Sequence, residues 1–560
     1  MKEEVKGLYW AILLSAVAIL AVNWIWPAQE VVVEEKPVAE IKAEVKEAAA
    51  PKADDDLYSP SNRKVEDVDV ALKQDKRIVL KNDKISGSIR IKGSRFDNIN
   101  LSNYKKTLEE NSPSVELLTP YGTISPYYAE FGWLATDPAI KLPDSDTMWK
   151  VIGKELTPDN PLTLEWNNGS GIKFVRRISI DKNYMFSIEQ IVENSSGKNV
   201  KLYPYGMVNR VYTTNSNSAV VHEGMLGVVD GSLREFKPKD LDEGEKEEFT
   251  TQGGWAGFGE RYWFAAFALN NSDKSTVRFS KTAKDTYQTD FVGSAVEIAN
   301  GAVATSKTQF YAGAKEIALL DEYAKTHDIQ KFDLAVDFGW YYFLTKPFFY
   351  ILDFLYKMIG NMGWAILVFA ALLRLVMFPV ANKSYENMSK MKKVQPKIQA
   401  IQEKYKDDKV RLQREMMELY KKEKINPASG CLPMFIQIPV FFSLYKVLNI
   451  AIEIRHAEFI GWIKDLSAPD PITLSYITGI PVPSFFDLGV WPLFMGITMY
   501  LQQKMSPKPA NKDQARMFAL MPIFFMFMLG HFASGLVIYW TLSNLLSIIQ
   551  QRAIMKKNGA

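Results

Sequence analysis

The sequence predicts a membrane α-helical protein of six transmembrane helices joined to an extracytoplasmic all-β sandwich domain. Three observations predict it. Six apolar segments, Leu8–Trp26 and about 361–380, 431–450, 486–501, 517–532 and 535–550, carry few or no charges. A long polar stretch between the first and second of them alternates apolar and polar residues with period two, the strand signature. Positive charge gathers in the stretches between apolar segments rather than evenly along the chain.

Bulk composition conceals this division. The 560 residues are 47% hydrophobic and 23% charged, with net charge +3, close to soluble-protein averages. These values exclude a disordered chain, a collagen-like chain and a strongly basic nucleic-acid binder. One cysteine and four histidines argue against a disulfide framework and a Cys- or His-rich metal site.

The elements follow in order. Residues 1–27 read as a signal-anchor helix, because about 19 uncharged residues from Leu8 can cross roughly 30 Å of hydrocarbon. Trp24 and Trp26 suit an interfacial belt. The competing cleaved signal peptide lacks a small-x-small site after the apolar run. Residues 28–56 hold nine acidic and four basic residues and read as an acidic flexible linker. Residues 57–330 read as the β-sandwich with a C-terminal helix. Ile85, Gly87, Ile89 and Ile91 alternate with polar partners, as do Phe186 and Ile188. Asp181-Lys182-Asn183 and Ser195-Ser196-Gly197 mark turns, and Ile317, Leu320 and Tyr323 share one face of a helix. Gly257-Phe258-Gly259 is only a fragment of a phosphate loop and reads as a tight turn. No P-loop pattern occurs anywhere, so ATP hydrolysis by that route is excluded.

Residues 331–360 are rich in aromatics yet broken by Lys346, Pro347, Asp353 and Lys357, which suits an amphipathic helix in the membrane interface. Transmembrane helices then follow at 361–380, 431–450 and 486–501, with two more in 517–550 turning at Ala533-Ser534-Gly535. The segment 381–430 reads as a basic helical hairpin. Met388, Met391, Val394, Ile398, Ile401 and Tyr405 line its first helix, Asp407-Asp408 its turn, and Leu412, Met416, Leu419 and Tyr420 its return. Pro396 is expected to kink or break the first helix.

Orientation comes from the loops. Residues 381–427 hold 13 basic and seven acidic side chains, 502–516 four and one, and the tail 551–560 three and none, whereas 451–485 holds two basic and four acidic. The three positive stretches are therefore assigned to the cytoplasm with both termini, and the β domain with loop 451–485 to the other side.

One ionisable residue lies well inside a span. Arg374 sits 13 residues beyond Asn361, roughly 9 Å inside the cytoplasmic end. An arginine at a helix centre costs at least about 2.5–3.5 kcal/mol on insertion scales. Snorkelling to the interface is one reading; a wet cavity is the other. Gln437 in Ile436-Gln-Ile-Pro439, and Tyr539, Ser543 and Ser547 at four-residue spacing with Trp540 and Asn544 beside them, favour the cavity. Lys446, nearer the outer end, reads as snorkelling. No Asp or Glu lies in the apolar cores of the five later spans, so an unpaired Arg374 attracts acidic groups.

Specific motifs carry a resemblance over roughly 330–552. They are Lys331-Phe-Asp-Leu-Ala-Val-Asp-Phe-Gly-Trp340, Thr345-Lys-Pro-Phe-Phe-Tyr350, Gly363-Trp-Ala-Ile366, Leu372-Leu-Arg-Leu375 and Gln395-Pro-Lys-Ile398. Asn426-Pro427 with Gly430-Cys-Leu-Pro433, Ile436-Gln-Ile-Pro439, Lys504-Met-Ser-Pro507, Ser534-Gly-Leu-Val-Ile-Tyr539 and Ser543-Asn544 complete the set. In these the sequence resembles the YidC/Oxa1/Alb3 family of membrane protein insertases, in its Gram-negative form. Ala533 departs from the proline usual there. The resemblance implies five core helices around a hydrophilic groove, a β domain similar to sugar-binding enzymes without established catalysis, and no enzyme activity, cofactor or metal. It implies an inner-membrane insertase and chaperone working alone or beside the Sec translocon. Expected partners are nascent membrane proteins, the Sec translocon, the ribosome and membrane lipids.

The residues assigned to the substrate groove are Arg374, Gln437, Tyr539 and Ser543. Those assigned to contacts of the cytoplasmic hairpin are Lys392, Lys393, Lys397, Arg411 and Arg414. Two rivals stay open. A small-solute transporter should show internal repeats and matched broken helices, which are not found. A membrane-anchored carbohydrate enzyme needs a carboxylate pair in the β domain.

Overall fold

The computed structural model describes residues 66–212, 222–283, 285–406, 408–423, 425, 432–506 and 512–557. The expected first span and acidic linker lie outside them. After a short helix α1 (Val68–Lys73), two antiparallel-rich sheets of 11 and nine strands form the β domain, closed by helix α2 (Ile317–Thr326). The expected sandwich is therefore present.

Alternation explains the sandwich. In the strand Met185–Asn194, Phe186 and Ile188 are fully buried while Ser187 and Glu189 are not. Phe96 and Phe131 of the larger sheet meet Phe186 and Phe310 of the smaller at ring-centroid separations of 5.4 to 5.5 Å. Such aromatic pairs add about 0.5–1.5 kcal/mol each beyond area burial. Asp181 Oδ1 accepts the Asn183 and Met185 N–H groups at 2.8 and 3.0 Å, closing the turn read from the sequence. Gly197, with φ +80, makes the other turn in a region that favours glycine.

Two local readings change. The strand Ile85–Arg90 ends before Ile91, which lies in a turn. Gly257-Phe258-Gly259 lies inside the strand Trp255–Gly259, paired on both sides, rather than in a turn. A Cβ on Gly257 would meet the Ala265 carbonyl oxygen at 2.1 Å, so close strand approach is what glycine permits there.

Beyond the 3₁₀ turn Phe332–Ala335 come α3 (Tyr342–Ile359), α4 (Met362–Lys404), α5 (Lys409–Lys422), α6 (Leu432–Ile450), α7 (Leu474–Thr478), α8 (Val490–Met505), α9 (Lys512–Leu529) and α10 (Ser534–Lys557). α4 merges the expected span 361–380 with the first helix of the expected hairpin, and it runs unbroken through Pro379 and Pro396. The change from apolar to basic residues at 381 is a change of surroundings, not of backbone. The third later span begins at Val490, because Ser484–Phe486 is a 3₁₀ turn, and α10 extends into the expected tail. The hairpin packs as its periodicity requires, with Val394, Ile398 and Ile425 buried against Met391, Met416, Leu419 and Tyr420.

Among the described residues, α4 is the one helix both long and apolar enough to cross a membrane, and Phe435–Ile450 and Ala515–Leu529 are shorter apolar stretches. Only 28% of the apolar window in α4 is buried in protein. Leu375 and Val376 on α4 and Met517, Leu520 and Phe524 on α9 stand exposed, apolar side chains better suited to hydrocarbon than to water.

The β domain is bolted to the helices. Arg261 donates to the Asn449 backbone oxygen at 2.5 Å and to Asn449 Oδ1 at 2.9 Å. Arg455 donates to the Lys105 carbonyl at 2.7 Å. Glu453, in the loop after α6, receives the Ile317 N–H at the start of α2 on Oε1 at 3.4 Å, while its buried Oε2 has no partner. Burial, with Glu316 nearby, lifts its carboxyl from 4.5 to about 7. The folded chain thus keeps a proton there that the unfolded chain releases near pH 4.5. Stability falls as pH rises from about 4.5 to 7 and levels off above, by on the order of 3 kcal/mol. Glu453→Gln should flatten the melting temperature of the detergent-solubilised protein across that window and raise it at about pH 8. An unchanged slope would refute this assignment.

Candidate functional site

Three helices build the site. α4 supplies Arg374, α6 supplies Gln437, and α10 supplies Tyr539, Ser543 and Ser547 on one stripe, as residues four apart must lie. Arg374 Nη2 donates to the Ser543 carbonyl at 3.0 Å, to Ser543 Oγ at 3.1 Å and to Ser547 Oγ. Ser547 Oγ in turn donates to the Ser543 carbonyl at 2.7 Å, which leaves its lone pairs for the guanidinium. Gln437 Nε2 donates to the Tyr539 hydroxyl at 3.0 Å.

These contacts bear on the two readings of Arg374. The side chain crosses to α10 instead of running free to the interface. Among the described residues it has no carboxylate partner, and its buried Nε–H has no acceptor. An unmet donor on a charged group costs more than the ~1–3 kcal/mol of a neutral one. A carboxylate or carbonyl oxygen placed at Nε would satisfy it.

Arg374, Gln437, Tyr539 and Ser543 line one cleft, with Met377 and Val440 among its apolar walls. All four groove residues named from the sequence are brought together. The cleft has a free volume of ≈ 20 Å³, room for about one water molecule. Ser547 was visible in the four-residue spacing, yet its direct bond to Arg374 was not among the expected site contacts.

Other polar residues go elsewhere. Asn544 Nδ2 reaches Thr498 Oγ1 of α8 at 3.2 Å and so ties two helices together. Trp540 packs edge-on against Phe441 at 4.7 Å. Lys446 does not snorkel: its Nζ lies 2.6 Å from Asp337 Oδ2. In the hairpin, Lys392 and Lys393 are exposed, and Lys397 pairs with Glu423 at 2.7 Å. Arg411 lies over the Tyr405 ring at 5.1 Å and Arg414 pairs with Glu418 at 3.4 Å. Exposed pairs of this kind stabilise by about 0.2–1 kcal/mol, and the basic surface stays open to solvent.

The fold and cleft define a protein with a helix fit to cross a membrane, a large β-sandwich beside its helices and a cationic cleft among them. Residues 77–351 match the family model described as YidC periplasmic domain, and residues 354–560 match that described as 60Kd inner membrane protein. A membrane protein insertase YidC of Beijerinckia indica is 43% identical over 585 aligned residues, covering 100% of this chain and 97% of the relative. One from Granulibacter bethesdensis is 46% identical over 502 residues, covering 87% of each. A solved structure described as an active YidC insertase with its first transmembrane domain resolved is 18% identical. It aligns over 85% of this chain and 92% of that one, with a TM-score of 0.37. The chain belongs to the YidC family of membrane protein insertases.

Proposed function

We propose that this chain inserts hydrophobic segments of newly made membrane proteins into the inner membrane, with Arg374 as the receiving group. The observation that supports the mechanism is a guanidinium on the apolar helix α4, held by the α10 hydroxyls and without a carboxylate partner among the described residues. A polar outer segment of the substrate moves past Arg374 in a shortened hydrocarbon path. An acidic side chain, or a backbone carbonyl that lipid leaves unsatisfied, accepts from the guanidinium. Gln437, Tyr539 and Ser543 exchange hydrogen bonds with the passing backbone. The apolar segment then leaves along exposed helix faces into lipid, driven by burial of apolar surface. Outward movement of an acidic residue gains up to about 2.3 kcal/mol per charge per 100 mV. No covalent step or nucleotide enters this sequence.

The same reading places 381–427, 502–516 and both termini in the cytoplasm and the β domain in the periplasm, on the distribution of basic residues. It places α3 in the membrane interface: Phe343, Phe354 and Met358 are exposed, while Lys346 is anchored by Asp321 and Asp333 at 2.8 and 2.7 Å. The open basic surface at Lys392, Lys393, Arg411 and Arg414 is the proposed seat of the ribosome and its emerging chain. The Sec translocon is the proposed partner for larger substrates, on family membership alone.

Purified protein in liposomes tests the core of this. A small single-span substrate should become protease-protected without added nucleotide. Protection no greater than in empty liposomes would overturn the insertase reading. Flux of small solutes through the same vesicles would favour a transporter instead.

A further inference from the structure

A second and larger cavity lies on the other side of α6. It measures ≈ 370 Å³, within the range of small-ligand sites, and opens between residues 338–341, the first turn of α3 and the outer half of α6. The Arg374 cleft touches α6 through Ile436, Gln437 and Val440, the second cavity through Phe442, Tyr445 and Lys446. At 3.6 residues per turn these sets lie on roughly opposite faces, so the two spaces are separate.

The walls state the chemistry. Phe338, Tyr341, Phe442 and Tyr445 are aromatic, with the Tyr341 and Phe442 rings stacked at 6.5 Å. The charged group at the cavity, Lys446, is neutralised by Asp337. Such a space has little to offer an anion or a sugar and much to offer a hydrocarbon chain. Its neighbours show which hydrocarbon is at hand. Trp340, at the cavity, is 97% exposed, and the outward face of α3 exposes Phe343, Phe354 and Met358. Exposed apolar side chains of this kind suit lipid, and an exposed tryptophan at the cavity suits the headgroup boundary.

We propose that this cavity holds one acyl chain of an outer-leaflet phospholipid, seated between the Phe338–Tyr341 segment and α6; the assignment to the outer leaflet rests on the orientation given above. The bound chain wedges the interfacial helix α3 against α6 and keeps the aromatic walls from water.

The test uses the full-length protein in liposomes doped with a phosphatidylcholine carrying a diazirine in its acyl chain. After irradiation, mass spectrometry maps the labelled residues. Labelling at Tyr341, Phe442 and Tyr445 should exceed that at Phe354 and Met358 several-fold and should saturate as the doped fraction rises. Labelling at the cavity no stronger than at Phe354 and Met358, or rising in proportion to the doped fraction, overturns the proposal. Thr345→Leu, which adds bulk to the cavity wall, should lower the cavity label several-fold; the wild-type pattern decides if that variant does not fold. Liposomes that label here yet fail to insert substrate would count against the insertase reading alone, and insertion without cavity labelling against the lipid site alone.

Discussion

Replacing Arg374 by alanine is expected to lower insertion of a single-span substrate with an acidic outer tail by about 10- to 100-fold. Hydrogen bonds to charged groups contribute about 1.5–3 kcal/mol, and each 1.36 kcal/mol is tenfold. Two losses combine. The substrate's carboxylate loses its cation, and the hydroxyls of Ser543 and Ser547 lose the group that engages them. Arg374→Lys should fall between, because an ammonium keeps the charge but has no further N–H groups, such as Nε–H, to offer a substrate beyond the single nitrogen that the α10 serines engage. A substrate with a neutral outer tail should suffer less. The readout is protease protection in liposomes, with melting temperatures of the variants measured alongside to separate lost function from lost packing. If alanine and lysine variants both insert the acidic-tailed substrate at the wild-type rate, Arg374 is not the receiving group.

The largest effect on stability is expected in the β domain. Asp290 and Arg278 form a pair whose side chains are 2% and 6% exposed, joined at 2.8 Å through Nε and 2.6 Å through Nη2. Gln288 Nε2 donates to the other carboxylate oxygen at 2.9 Å. Burial pushes the Asp290 carboxyl up and the guanidinium pulls it back. Asp290→Ala strands a buried cation, a defect costing about 3–5 kcal/mol. For a domain of this size it should lower the melting transition by roughly 10 °C. Asp290→Asn, which keeps one acceptor, should do less harm. Insertion by the folded remainder should stay near wild type, since Arg374 and its partners lie on α4 and α10. A carbohydrate enzyme would behave oppositely, losing activity with its β domain. A melting transition that does not move would show that the pair carries no net stability.

Much of this was legible in the sequence, for identifiable reasons. Phe186 and Ile188 announced their strand because a two-sided sheet forces alternation. Arg374, Tyr539 and Ser543 announced the cleft because polar side chains in apolar helices must be satisfied somewhere, and four-residue spacing puts them on one face. What stayed hidden was non-local. The order of the strands depends on pairings across long loops, such as Met185 against Tyr311. The Lys446–Asp337 pair joins residues 109 positions apart, so the lysine read as a snorkeller. The unbroken course of α4 was hidden by the change at residue 381, where lipid-facing composition gives way to basic composition with no helix end. The partner of Asn544, Thr498 on α8, lies 46 positions away and was equally hidden.

The most direct measurement is site-specific photocrosslinking to a stalled nascent membrane protein, with a photoreactive residue placed in turn at 437, 539, 544 and 354. If the cleft of Arg374 receives the substrate, positions 437 and 539 should crosslink to the nascent chain, while 544, which faces α8, and 354, on the lipid-exposed side of α3, should not. Crosslinks from 437 and 539 no stronger than from 544 and 354 would contradict it.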